Sequence, residues 1–127
     1  MIQVLQHMEV LGDQSLIYSI FRNLVDNAIA YAIGASHLEI VCCEIETEGR
    51  HFFEFQVRDD GPGVEEKHLE HLFERFYRID KGRSRKLGGT GLGLAIVKNA
   101  VAVHGGSTTA LATPGGGLTI RFTLSRF

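Results

Sequence analysis

Tryptophan is absent from this chain, and proline and cysteine occur only twice each in 127 residues. The two cysteines, Cys42 and Cys43, are adjacent, so on a strand they point to opposite faces. They make neither a disulfide framework nor a CxxC metal knuckle, which leaves packing as their role and a reducing, cytosolic setting as the expectation. No apolar run approaches the roughly 20 residues that span a bilayer, and no signal peptide opens the chain. The formal net charge is only -2, which excludes a global pull toward nucleic acid or an anionic membrane. There is no internal repeat and no linker-like segment. Two common nucleotide fingerprints are also missing: no GxxxxGK[ST] loop occurs, and no strand–GxGxxG–helix unit with an acid about 20 residues on. With 44% hydrophobic and 22% charged residues, the chain reads as one globular domain over 1–127.

Glycine, by contrast, is plentiful, with 15 residues, and it is concentrated. Gly88-Gly89-Thr90-Gly91-Leu92-Gly93-Leu94 runs straight into an amphipathic stretch, Ala95-Ile96-Val97-Lys98. Glycines at 89, 91 and 93 let the backbone come close to a ligand, and the helix behind them offers unpaired N–H groups and a positive dipole end that favour phosphate. Upstream, Arg78-Ile79-Asp80-Lys81-Gly82-Arg83-Ser84-Arg85-Lys86 sets five basic residues against one acid, as in a flexible lid over a polyphosphate. A glycine-rich connecting turn is the plainer reading of the same residues.

Periodicity organises the rest. Residues 1–12 read as an edge strand, and Asp13 as the N-cap of a helix over 14–33 that Gly34 stops. Strands at 37–47 and 51–58 flank a turn at Glu48-Gly49. Asp59-Asp60-Gly61-Pro62-Gly63 makes a rigid loop, a short helix covers 65–77, and a helix from about 91 to 103 ends at His104-Gly105-Gly106. Strands near 107–113 and 118–125 close the chain around Pro114-Gly115-Gly116-Gly117. This order predicts a mixed sheet covered by helices on one face.

Three further patches carry chemistry. Asn23 and Asn27 lie four apart on one helix face; their amide oxygens suit Mg²⁺ held jointly with phosphates, or they simply satisfy backbone groups and water. Asp59 and Asp60 end a strand, where a carboxylate can accept from an exocyclic amine and Gly61 and Gly63 leave room for a flat ring; an ordinary Asp-Gly turn fits as well. Phe73-Glu74-Arg75-Phe76-Tyr77 places two aromatics at i, i+3, which anchors the adjoining loop to the core.

Taken in order, these segments resemble the ATP-binding catalytic domain of bacterial two-component sensor histidine kinases, in the wider GHKL family that includes type II topoisomerases, mismatch-repair ATPases and heat-shock chaperones. Asn23-Leu24-Val25-Asp26-Asn27-Ala28-Ile29-Ala30-Tyr31 resembles the N box, Asp59-Asp60-Gly61-Pro62-Gly63-Val64 the G1 box, Phe73 to Tyr77 the F box, and Gly88 to Lys98 the G2 box. Gly115-Gly116-Gly117 with Thr119 resembles the closing G3 turn. The resemblance runs from about residue 11 to the C-terminus. It implies an α+β fold, the two-layer α/β sandwich called the Bergerat fold, with a mixed, mostly antiparallel sheet, helices on one face and a flexible ATP lid.

The resemblance also implies roles. Asn27 is the principal Mg²⁺ ligand, supported by Asn23; Asp59 reads the adenine amino group; Tyr31 lies against base or ribose. Gly61, Gly63 and Phe76 belong to the nucleotide site, Arg78 reaches the phosphates, and Lys81, Arg83, Arg85 or Lys86 steadies the γ-phosphate. Gly89, Thr90, Gly91, Leu92, Gly93 and Leu94 supply hinge freedom and backbone donors. Two departures stand out: Ala30 replaces the Lys or Arg that often precedes the N-box tyrosine, and the chain starts close to the first helix, so an upstream strand is expected to be cut or shortened.

Hydrolytic relatives carry a glutamate four residues before the Mg²⁺ asparagine to orient water. Here that position is Asn23, an amide that cannot act as a base, which favours transfer of the γ-phosphate over hydrolysis. Of the six histidines (His7, His37, His51, His68, His71 and His104), none has the setting of a phosphoacceptor. His68 and His71 read as an exposed helix face and His104 as a helix C-terminal residue. The implied acceptor is a histidine on an upstream dimerisation domain, with a response regulator receiver domain served indirectly and no nucleic acid bound. The isolated domain is expected to be a cytoplasmic monomer that binds Mg-ATP and phosphorylates little, its parent protein anchored in the inner membrane through other segments. A catalytically silent nucleotide-binding module and a GHKL-type ATPase are the competing readings.

Overall fold

A computed structural model describes residues 2–3, 12–31, 37–77 and 92–125 of the chain. In order the elements are β1 (Ile2–Gln3), α1 (Gln14–Tyr31), β2 (Leu38–Thr47), β3 (Arg50–Asp59), α2 (Glu66–Leu69), α3 (Gly93–Val103), β4 (Thr108–Ala112) and β5 (Leu118–Ser125). Among the described residues the strands form a five-stranded sheet in the order β1-β2-β3-β5-β4. Only the β1–β2 pair is parallel; the other pairs are antiparallel. This is the mixed, mostly antiparallel α+β arrangement that the sequence predicts.

The β2–β3 hairpin follows from its turn. Glu48 (φ 52) and Gly49 (φ 77) both take left-handed backbone, the twist that lets two strands continue without splaying. The register then pairs Thr47 with Arg50 and runs unbroken to Leu38 opposite Asp59. Alternation assigns the faces. Phe53, Phe55 and Val57 of β3 and Leu118, Ile120, Phe122 and Leu124 of β5 are buried beneath the helices. The opposite face is a polar lattice, in which Arg58 joins Gln56 (Nε to Oε1, 3.0 Å) and Glu39 (3.3 Å). Cys42 and Cys43 fall on opposite faces as expected, the first buried and the second exposed. Burial pushes the Cys42 thiol up to about 11, so it stays protonated and packs as an apolar group.

Asp13 caps α1 as predicted: its Oδ1 accepts from the Leu16 N–H at 3.0 Å and its carbonyl from Ile17 at 2.9 Å. Ile20 and Leu24 of α1 and Leu94, Val97 and Val101 of α3 drive into the sheet. Phe21, Phe55 and Phe122 form a trio with centroids 5.1–5.5 Å apart, edge-on between α1 and the sheet and stacked within it. Phe122 is fully buried at the centre of this cluster. Phe122→Ala is expected to lower the unfolding free energy by about 3–5 kcal/mol. Denaturant titration checks this, and a loss below about 1 kcal/mol would mean that the cluster does not hold the two layers together.

One expected element changes character. Residues 65–77 do not form a continuous helix: after α2 the chain turns through backbone bonds from His68 to Glu65, His71 to His68, Glu74 to His71 and Tyr77 to Glu74. These are successive four-residue turns, each starting where the last one ends, and the final one holds Phe76 in left-handed backbone (φ 64). Phe73 packs against the core, whereas Phe76 is 67% exposed. The anchoring predicted for both aromatics therefore holds for Phe73 alone. The histidines are engaged as well. His68 Nδ1 meets the Tyr77 hydroxyl at 2.5 Å, and His71 stacks on the Tyr77 ring and bonds Glu74, whose carboxylate raises the His71 imidazole. They tie the turns together rather than forming an exposed helix face.

Candidate functional site between the two long helices and the sheet edge

Helices α1 and α3 run antiparallel, joined near one end by the Asp13–His104 bond and approaching each other at Asn23 and Gly93 near the other. Asn23 donates from Nδ2 to the Ser19 carbonyl at 2.8 Å. Because that bond takes the amino side of the amide, its oxygen is left to face α3. A Cβ on Gly93 would lie 3.3 Å from this Oδ1, so the absence of a side chain lets the first turn of α3 sit beside the N-box amide. Asn27, one turn further along α1, is half-buried and has no side-chain hydrogen-bond partner among the described residues. An amide oxygen left free at that place fits a hard cation such as Mg²⁺.

A second cluster forms where β3 ends. Asp59 Oδ1 accepts two backbone N–H groups, from Gly61 at 3.0 Å and from Leu118 at 3.2 Å. One carboxylate oxygen thus folds the G1 loop back on itself and fastens it to the start of β5. Among the described residues none donates to Asp59 Oδ2, which remains available to a ligand. Gly117 sits against this aspartate: a Cβ there would fall well inside 3.0 Å of the Asp59 carbonyl oxygen, and its φ is +104°. Gly63 (φ +75°) in turn lies against the Gly117 carbonyl. The G1 loop and the G3 turn therefore form one interlocked unit. Asp60 acts beside it, its Oδ1 accepting from the His37 N–H at 3.0 Å, which ties the start of β2 to the same loop. Sequence reading missed this role for Asp60, since nothing local marks a bond across 23 residues.

Topology brings the two clusters to one end of the sheet. Ser125 Oγ donates to the His104 carbonyl at 3.3 Å, fixing the end of α3 at the end of β5. The start of α3, with Gly93 and Asn23, lies toward the other end of β5, where Leu118 meets Asp59. Leu92 stands at the N-cap of α3, and the Leu94 side chain is buried in the core. Thr119 is buried on the opposite face from Asp59, bonded to the Thr113 hydroxyl at 2.9 Å. Tyr31 closes α1. Arg78, Lys81, Arg83, Arg85, Lys86, Gly89, Thr90 and Gly91 lie outside the described residues, and with them the whole expected lid. No group of three or more His, Cys, Asp or Glu among the described residues is placed to hold a metal.

The histidine kinase-, DNA gyrase B- and HSP90-like ATPases match residues 12–126. The chain belongs to this family. Among curated relatives, the sensor histidine kinase WalK of Bacillus subtilis is 44% identical over 112 residues, covering 88% of this chain and 18% of WalK. Among solved structures, the mycobacterial sensor histidine kinase MprB is 30% identical with a TM-score of 0.76, over 94% of this chain and 76% of that one. Full-length ShkA in complex with AMPPNP is 27% identical with a TM-score of 0.70, over 94% of this chain and 23% of that one. The chain is a catalytic, ATP-binding domain of the sensor histidine kinase kind, and it spans less than a third of the length of the curated relatives that it matches. No helix among the described residues is long and apolar enough to cross a membrane.

Proposed function

We propose that this domain binds Mg-ATP between α1, the start of α3 and the Asp59 loop, and donates the γ-phosphate to a histidine on an upstream dimerisation domain of the same sensor kinase, from which a receiver domain is served. The observation that carries the reading is the Asn23–Gly93 approach, which sets an amide oxygen beside the opening turn of a helix, where N–H groups without an intrahelical partner suit phosphate. Asp59 supports the adenine end, with one oxygen spent on the loop and the other open to the exocyclic amine. Asn27 and Asn23 would hold the cation, which neutralises charge on the phosphates. Tyr31, Gly61 and Gly63 would line the base and ribose side, and Phe76 would belong to the same nucleotide site. Arg78, Lys81, Arg83 and Arg85 would meet the phosphates.

Transfer is favoured over hydrolysis by the chemistry of position 23. An amide whose Nδ2 is already given to Ser19 neither takes a proton from water nor orients it as a carboxylate does. With no base for water, the γ-phosphate is kept for an incoming imidazole.

Calorimetric titration with a non-hydrolysable ATP analogue, with and without Mg²⁺, tests the reading. Binding in the micromolar-to-millimolar range that strengthens with Mg²⁺ is expected. Asn27→Ala should remove the Mg²⁺-dependent gain while leaving the unfolding midpoint near that of the parent, because the side chain has no partner to lose among the described residues. If the variant keeps the full Mg²⁺ effect, the metal assignment is wrong.

A further inference from the structure

We propose that His104 is a positioning residue of the nucleotide site, acting from its far end as a latch that sets the axial register of α1 against α3. The two imidazole nitrogens have different partners, and the partners settle the tautomer. Nδ1 lies 2.7 Å from the Ala100 carbonyl, which only accepts, so Nδ1 carries the proton. Nε2 accepts the Asp13 N–H at 2.9 Å, so it is bare. His104 thus closes α3 at its C-cap and at the same time holds the N-cap residue of α1.

Gly12 shows how closely the two are fitted. A Cβ there would fall well inside 3.0 Å of both His104 Cδ2 and Nε2, so the backbone before α1 lies directly against the imidazole edge. The end of α3 is itself immobilised. Gly106 N–H bonds the Val101 carbonyl and Gly105 N–H that of Ala102, both at 3.0 Å, a Schellman closure, while Ser125 grips the His104 carbonyl. The latch is therefore mounted on the sheet, and it is α1 that it places.

The arms match. From Asp13 to Asn23 is ten residues along α1, and from His104 back to Gly93 is eleven along α3, about 15 Å and 16 Å at helical rise. An axial slip of α1 at the latch is carried undiminished to Asn23 and Asn27, because a helix transmits translation along its axis. A slip of Asn23 changes how its Oδ1 approaches the first turn of α3 at Gly93, where an added Cβ would stand 3.3 Å away. This inference rests on the proposed nucleotide site, which it deepens by naming what holds its two helices in register.

Two amide variants separate latching from simple packing. His104→Gln puts its side-chain oxygen where Nε2 stands and still accepts from Asp13. His104→Asn reaches only the Nδ1 position, keeps the bond to Ala100 and leaves the Asp13 N–H to water. Both replace the ring by a smaller amide, so unfolding midpoints should fall together. Affinity for the Mg²⁺-bound ATP analogue should split: H104Q within about threefold of the parent, H104N weaker by about tenfold or more, the equivalent of about 1.4 kcal/mol. In parallel, nitrogen NMR of the parent should show a protonated Nδ1 and a bare Nε2.

Equal affinities for H104N and the parent, or a protonated Nε2, overturn the latch while leaving the nucleotide site standing. A folded parent that binds no nucleotide overturns both. Should H104N fail to fold, Gly12→Ala takes its place, since the added methyl displaces the imidazole without altering it, and it should lower affinity by a similar factor; unchanged affinity in G12A then counts against the latch.

Discussion

Replacing Gly117 by alanine is expected to destabilise the domain by about 2–6 kcal/mol and to abolish nucleotide binding. Two separate penalties combine. The backbone at 117 stands at φ +104°, a region that residues with a Cβ rarely adopt, and the new methyl would be driven into the Asp59 carbonyl oxygen. Neighbouring glycines allow the penalties to be told apart. Gly115 (φ +87°) and Gly116 (φ +115°) share the left-handed backbone, but a Cβ on either meets nothing within 4 Å. Gly115→Ala should therefore cost only the backbone strain, about 1–3 kcal/mol, and leave binding nearly intact. Denaturant unfolding and nucleotide titration on both variants make the comparison. If the two variants behave alike, the close approach of the G3 turn to Asp59 does not shape the site.

How far sequence led can be judged from these same residues. Asp13 as an N-cap, the Glu48–Gly49 turn, the alternation of β3 and the glycine closure of α3 were all legible, because each rests on a rule that acts within a few residues. Asn23, Asn27, Asp59 and Gly93 were legible as candidates from residue type and from the resemblance. What they touch was not. Asp59 reaches Leu118 across 59 residues, and the orientation of Asn23 depends on Ser19 and on where α3 comes to rest, neither of which a linear pattern encodes. The misreading of 65–77 has a physical origin too. Leu69, Leu72, Phe73 and Phe76 satisfy helical spacing, but a chain of turns still brings the first three against the core, and the bonds of His68 and His71 to Tyr77 and Glu74 hold it in that path. Phe76 then falls out of the pattern and is exposed.

The Asp59→Asn variant should give the sharpest functional change with the least structural one. Asp59 Oδ1 holds both the Gly61 and the Leu118 N–H groups, and in asparagine only the carbonyl oxygen can do so. Those two donors therefore fix the amide's orientation and turn its NH₂ toward the place of Oδ2. In the proposed site it would there meet the adenine amino group donor to donor. Loss of a hydrogen bond to a charged acceptor, worth about 1.5–3 kcal/mol, should weaken ATP binding by about 10- to 150-fold. Guanine carries a carbonyl oxygen where adenine carries its amine, so GTP should lose less or gain, and the preference between the two nucleotides should narrow or invert. The unfolding midpoint should stay close to that of the parent. Asp59→Ala gives the complementary result: it removes the same base contact but also leaves two backbone N–H groups without their acceptor, so it should bring a stability loss of about 1–3 kcal/mol for each group that water does not reach. An unchanged ATP-to-GTP ratio in the Asn variant would remove Asp59 from base recognition and leave it only as the clamp between the G1 loop and β5.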